Sequence, residues 1–311
     1  MIKTNTLFIL GAGASKPFGY PTGIELRNEI LFGNTYENDI ISALNRYDDN
    51  TDTFRKDIKN FRDAFSKSGG YSIDAFLEER PKDHPFMYIG KTFIAKILTS
   101  REKDNDLRIN IEENWYMYLF KRMRVSFEEL GQNNISFITF NYDRSLEYFL
   151  FDAIKEQFDK GADECITMME NFPIVHLYGQ LDALPWQGPD GKEYSTVKGL
   201  NARLRAAPQN IQLINDERDV KSSEYFQKAY KLIEQAERIF FLGFSFDKTN
   251  LERLRLDRIE KRKEIVAITY KVEEAELKRI DRYFNQSAYT NNITREDMDA
   301  ITLLKKHLEI E

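Results

Sequence analysis

Four short stretches of the chain concentrate the residues that could do chemistry. The first is "GAGAS" at Gly11–Ser15, which follows the apolar run Leu7–Leu10 and is trailed by Gly19, Pro21 and Gly23. In a strand-to-helix loop of this kind the missing side chains let backbone N–H groups approach a phosphate. The helix N-terminus behind the loop adds about half a positive charge. The second stretch, "TFNYD", carries Asn141 and Asp143; the third, "PIVHLYG", carries His176 and Gly179; the fourth, "RIFFLGFSF", carries Gly243 and Ser245. Each has a plainer reading on its own. "GAGAS" reads either as a nucleotide loop or as a tight turn, Asn141 as the cap of a helix beginning at Tyr142, and His176 as a satisfied core residue. Taken together they share one property: all four follow the end of a candidate strand. In open parallel sheets ligands sit outside the carboxyl ends of the strands, so the four stretches converge on one crevice.

The elements that must position these residues follow from hydrophobic pattern. Short apolar, β-branched or aromatic runs ending in turn residues mark buried strands. Six are expected, at Thr6–Leu10, Ile135–Phe140, Pro173–Tyr178, Asn210–Ile214, Arg238–Leu242 and Glu264–Thr269. Helical spacing joins Leu146, Phe149, Leu150 and Ile154 in Tyr142–Gln157, and Phe226, Tyr230 and Ile233 in Ser222–Ala236. This alternation predicts an α/β fold, a Rossmann-like parallel sheet with helices on both faces. Residues 30–131 read instead as successive helices, including Asp52–Ser66 and Ile111–Leu130, and form an inserted helical subdomain. The expected layout is a single domain with a core of about 1–29 and 132–290, the helical insertion, and a C-terminal helix of about 294–309. Ala183–Arg205 is rich in Gly and Pro and reads as a long irregular loop, of the kind that covers a site.

Bulk properties exclude several classes. The chain has 311 residues, 41% hydrophobic and 13% aromatic, ample for a packed core, and a formal net charge of −6 that argues against wholesale nucleic-acid binding. The basic stretch Arg253–Lys263 reads as a solvated helix face. A single cysteine, Cys165, excludes an internal disulfide and a four-cysteine zinc ribbon. The N-terminus imitates a secretory signal, with Lys3 and an A-x-A at Ala12–Ala14, but its apolar run is shorter than the roughly 7–15 residues required. No run approaches the roughly 18 apolar residues of a membrane span. A cytoplasmic protein, without membrane or direct nucleic-acid partners and without a metal, is expected.

The first loop does not complete the G-x-G-x-x-G fingerprint, because position 16 is Lys16 and no acidic strand end follows. In order and spacing, however, Gly11–Ser15, Asn141 with Asp143, His176 with Gly179, and Gly243 with Ser245 resemble the sirtuins. They resemble more closely the sirtuin-like NAD-consuming effectors of bacterial antiphage defence, whose wording "TFNYD" and "HLYG" share. The resemblance spans about residues 10–270. Departures from the deacylases are plain: the zinc-ribbon cysteines are missing, the first loop continues "GYPTG" in place of "GIPDFR", and Leu177 and Tyr178 separate His176 from Gly179. The first two put acyl-lysine chemistry in doubt.

What the resemblance implies is cleavage of the bond between nicotinamide and its ribose in NAD, with water as acceptor. It assigns Asn141 to hold water or the ribose hydroxyls and His176 to act as general base, a role that the near-neutral titration of imidazole suits. Gly11, Ala12, Gly13 and Ser15 would cradle the pyrophosphate, Asp143 would bind the carboxamide, and Gly243 with Ser245 would support a ribose or phosphate. Pro21 and Thr22 would line the entrance. A sensor that binds NAD or ADP-ribose without turnover, and a protein deacylase or ADP-ribosyltransferase, are the competing readings. Because unrestrained NAD hydrolysis would kill its own cell, a latch is expected, supplied by homo-oligomerisation or by a partner defence protein such as an ATPase or an Argonaute-type protein. The aromatic-rich insertion offers a surface for it, or else those aromatics simply build a core.

Overall fold

The computed structural model describes residues 1–308 except 34, 45–50, 71, 110, 214–216 and 287–292. Its centre is a six-stranded sheet: β1 (Thr6–Leu10), β2 (Ile135–Thr139), β3 (Ile174–His176), β4 (Arg238–Leu242), β5 (Glu264–Ile268) and β6 (Ile293–Glu296). The order is β3-β2-β1-β4-β5-β6 and every pairing is parallel. This is the doubly wound Rossmann-like order, in which the direction of winding reverses between β1 and β4. Successive strand residues point to opposite faces, yet all residues of β1 and β4 are buried, so both faces of the sheet centre are covered. Phe8 sits in register between Phe137 and Phe240 and stacks on both, with ring centroids 5.3 and 5.4 Å away. Among the flanking helices, Glu224–Gln235 packs against β3 and Ala300–His307 against β5.

Every described element between β1 and β2 is helical, as the sequence pattern requires, although helical structure begins before position 30, at Ala12–Ser15 and again at Gly23–Phe32. The expected helix 111–130 is two, Trp115–Met123 and Phe127–Leu130. Phe61, Phe65, Phe76, Phe86 and Phe93 pack ring on ring, with centroids 4.7–6.2 Å apart. These aromatics therefore build an interior, and the buried residues of insertion and sheet belong to one hydrophobic cluster.

Three expectations are corrected. The apolar stretch at Asn210–Ile214 is no strand: Asn210 ends the helix Leu200–Asn210 and Ile214 lies outside the described residues. Ile211 and Leu213 are buried, and Gln212 N–H donates to the Tyr178 carbonyl at 2.8 Å, but no ladder forms. The sixth strand is instead β6, whose sequence "ITRE" has no apolar run; as the sheet's edge strand it is not covered on both sides. The C-terminal helix accordingly starts at Ala300, capped by Asp299, which accepts from Thr302 N–H at 2.8 Å. Lastly, the basic stretch Arg253–Lys263 is solvated at Arg258, Lys261 and Arg262 but is not one helix face, since the helix Lys248–Leu254 ends at its start, and its two end residues are engaged. Arg253 pairs with Glu78 and donates to Tyr178, while the Lys263 ammonium donates to the Glu234 and Ala236 carbonyls. Among the described residues no helix is long and apolar enough to cross a membrane.

Candidate active site

The first loop and the turn after β4 meet where the strand order reverses, and they meet backbone to backbone. Gly11 N–H donates to the Leu242 carbonyl and Gly13 N–H to the Gly243 carbonyl, both at 3.0 Å. Gly243 has φ +58°, and a Cβ on it would stand 2.0 Å from the Ala14 nitrogen. A Cβ on Gly13 would lie 2.8 Å from the Gly243 Cα. The glycines are thus demanded by the approach of the two loops. The same contacts consume N–H groups: with Ala14 N–H on the Gly11 carbonyl at 2.9 Å, the amides of Gly11, Gly13 and Ala14 face protein oxygens. The helix that follows, Ala12–Ser15, is a single turn.

Beside this junction, Ser15, Asn141 and Asp143 are brought into one hydrogen-bonded group. Asn141 follows β2 and its Nδ2 donates to the Gly11 carbonyl and to Ser15 Oγ, both at 3.0 Å. Ser15 Oγ in turn donates to Asp143 Oδ2 at 2.8 Å. The other Asp143 oxygen accepts from Ser145 N–H at 3.2 Å and from the Ser145 hydroxyl, which fixes the start of the helix Ser145–Phe158. Burial pushes the Asp143 carboxyl up, against the hydrogen bonds from Ser145 and Ser15 that favour its charged form. Asn141, Ala12, Gly13 and Gly243 remain partly exposed and Ser245 is exposed, so the rim of the crevice is open to solvent.

His176 ends β3 at the same edge of the sheet, in register with Thr139 of β2. Its ring is buried, with Nδ1 2.9 Å from the Asn141 carbonyl and Nε2 2.9 Å from Glu147 Oε1. The imidazole therefore reaches the crevice through the Asn141 main chain, and neither nitrogen presents a lone pair to the rim. Glu147 was not among the residues marked by motif. Its signal lies in the spacing, since it falls four positions after Asp143 on the first turn of a helix whose apolar residues surround it. Pro21 is buried. Thr22 caps the helix Gly23–Phe32, accepting from Glu25 N–H while Glu25 accepts from the Thr22 amide and hydroxyl. A cavity of about 470 Å³ outside the first loop is lined by Lys16, Gly19, Tyr20, Pro21, Asn28 and Arg101; of the residues expected to bind the dinucleotide it touches Pro21 alone.

The segment expected to be irregular is so only over 183–199, because Leu200–Arg205 opens the helix Leu200–Asn210; the irregular part packs beside this site. Tyr194 donates to or accepts from Tyr20 at 2.7 Å, and stacks on Tyr148 with centroids 4.2 Å apart; Trp186 stacks on Phe151 at 4.8 Å. Tyr20 is pushed well above its usual range by burial, by Tyr194 and by the Asp143 charge. From below, Trp115 Nε1 donates to the Ala14 carbonyl and Tyr116 hydrogen-bonds Ser145 Oγ, both at 2.8 Å. The insertion thus forms a wall of the site. Buried charges hold the cover down. Glu102 accepts from Arg144 at 2.8 and 3.0 Å and from Arg203 at 2.7 Å, and Arg203 also donates to Asp182 at 2.7 Å. Both guanidinium groups then donate to carbonyls of the cover, at Ala183, Lys192, Glu193 and Ser195. No motif marks this cluster; scattered Glu and Arg in a chain this charged carry no sequence signal of burial.

No protein-family model and no curated protein matches the chain.

Proposed function

We propose that the chain cleaves the nicotinamide–ribose bond of NAD, giving nicotinamide and ADP-ribose. The observation that carries this reading is the group Ser15–Asn141–Asp143, joined by hydrogen bonds of 2.8–3.0 Å at the ends of β1 and β2, beside the reversal of strand order. In a doubly wound sheet that is where a dinucleotide lies. The partly exposed edge of Ala12, Gly13, Asn141 and Gly243 is narrow and side-chain-poor, which suits a pyrophosphate, whereas the spent amides of Gly11, Gly13 and Ala14 must be supplemented by others or released on binding. Chemically, the C1′–N bond breaks with its electron pair going to the cationic ring nitrogen, so nicotinamide leaves neutral. A water oxygen then bonds to C1′ of the oxocarbenium-like ribose and loses one proton to solvent. Asn141 orients the water or the ribose hydroxyls, and the Asp143 carboxylate accepts from the carboxamide, so the protein supplies orientation and an anionic surface for the developing cation.

The setting we propose is antiviral defence of the abortive-infection type, with activity restrained until an oligomer or a partner protein releases it. Support for this comes from the resemblance of the motifs and from the harm that unrestrained NAD loss would do. One observation favours the second reading, a sensor without turnover: both His176 nitrogens are already engaged. Incubation with NAD, alone and with partner proteins, followed by mass spectrometry decides between them. Release of nicotinamide and ADP-ribose supports the hydrolase. Binding by calorimetry with NAD recovered intact supports the sensor.

A further inference from the structure

The two bonds of His176 fix its protons. A carbonyl oxygen only accepts, so Nδ1, 2.9 Å from the Asn141 carbonyl, carries a hydrogen. A neutral imidazole has no second N–H, and its bare Nε2 could not sit 2.9 Å from a carboxylate oxygen without two lone pairs facing each other. One further proton must therefore lie between His176 and Glu147. The groups around the ring place it on the ring. Glu147 faces it from the helix Ser145–Phe158 and Asp143 from the turn after β2; Tyr116, from the insertion, faces both carboxylates. Burial works against a charged ring, but the Glu147 charge and hydrogen bond, the Asn141 carbonyl and the Asp143 charge outweigh it, and His176 is held above its ordinary value. The other Glu147 oxygen, Oε2, is buried and meets no hydrogen-bond partner among the described residues. A buried carboxylate with one bond is expensive to keep. That bond goes to the ring.

We propose that His176 works as an imidazolium held in that form by Glu147, serving as a positioning residue that fixes the Asn141 main chain, with no proton taken from the acceptor. The chain of contacts is continuous. Glu147 Oε1 holds Nε2, Nδ1–H holds the Asn141 carbonyl, and the Asn141 amide reaches the Gly11 carbonyl and Ser15 Oγ. Loss of the imidazole would then disable the site by letting Asn141 drift, without any base having been removed.

The kinetic half of the test rests on the NAD-cleaving reading; the spectroscopic half does not. The variant is Glu147→Gln, which keeps the shape and removes the charge. In nitrogen-labelled wild-type protein, His176 should show an imidazolium signature at pH 7, assigned by its loss in His176→Asn and distinguished from His84 and His307. In Glu147→Gln the ring should be neutral. Nicotinamide release should fall on the alkaline side as the imidazolium deprotonates, and Glu147→Gln should move that fall to lower pH by about one unit or more. A neutral ring in the wild type overturns the proposal. So does an acidic limb that moves to lower pH in the variant, since that is the behaviour of a base. If the wild type releases no nicotinamide, the NAD reading fails and the spectrum still decides the state of His176.

Discussion

Gly243 shows how much of the site depends on single residues. Its φ of +58° and the backbone of Gly13 and Ala14 against its α-carbon leave no room for a side chain. Gly243→Ala should add roughly 1–2 kcal/mol of left-handed strain to a clash with backbone that cannot turn aside. An overall loss above about 2 kcal/mol in urea unfolding is expected; an unchanged midpoint would show that the two loops part freely. Asn141→Ala removes the amide that ties the Gly11 carbonyl to Ser15. It should lower NAD cleavage by about 10²-fold or more, as loss of an orienting donor does, with the fold intact by circular dichroism. His176 also gives stability a pH dependence. Its folded value is raised, so its contribution is complete below about pH 6.5 and is withdrawn as pH rises through the folded value. The stability gap between wild type and His176→Asn should therefore narrow as pH rises above the ordinary imidazole value and through the raised folded one, and a gap that widens would reverse the sign.

At the scale of elements, the cover 183–199 is held by buried charges. Glu102→Ala leaves Arg144 and Arg203 buried without their shared carboxylate. The expected cost is about 3–5 kcal/mol, with faster proteolysis inside 185–199 as the early sign; cleavage rates equal to wild type would mean that the stacked Tyr194 and Trp186 suffice. The strands bearing the marked residues were legible because buried parallel strands must be apolar throughout, and Thr6–Leu10 and Arg238–Leu242 come out at the expected bounds. The same rule misread Asn210–Ile214, where burial under neighbouring segments imitates a strand, and missed β6, an edge that needs no apolar run. Of the site, the loop glycines, Asn141, Asp143 and His176 were legible as strand-end residues. Glu147, Tyr20, Tyr194 and the Glu102 cluster were not, since their meeting depends on how a long irregular segment folds back, which no local periodicity encodes.

In the whole molecule, sheet, insertion and cover meet around the crevice: Trp115 and Tyr116 belong to one hydrophobic cluster with the strands, and Tyr194 packs against that cluster and hydrogen-bonds Tyr20. The most direct test is nicotinamide release measured by mass spectrometry for wild type, Asn141→Ala and the remote surface variant Glu274→Gln, each with NAD and with the candidate partners. The account predicts release by wild type and by Glu274→Gln and its loss in Asn141→Ala. Equal release by all three would place any cleavage outside this crevice, and NAD left intact by all three, with and without partners, would contradict the assignment of the chain as a hydrolase.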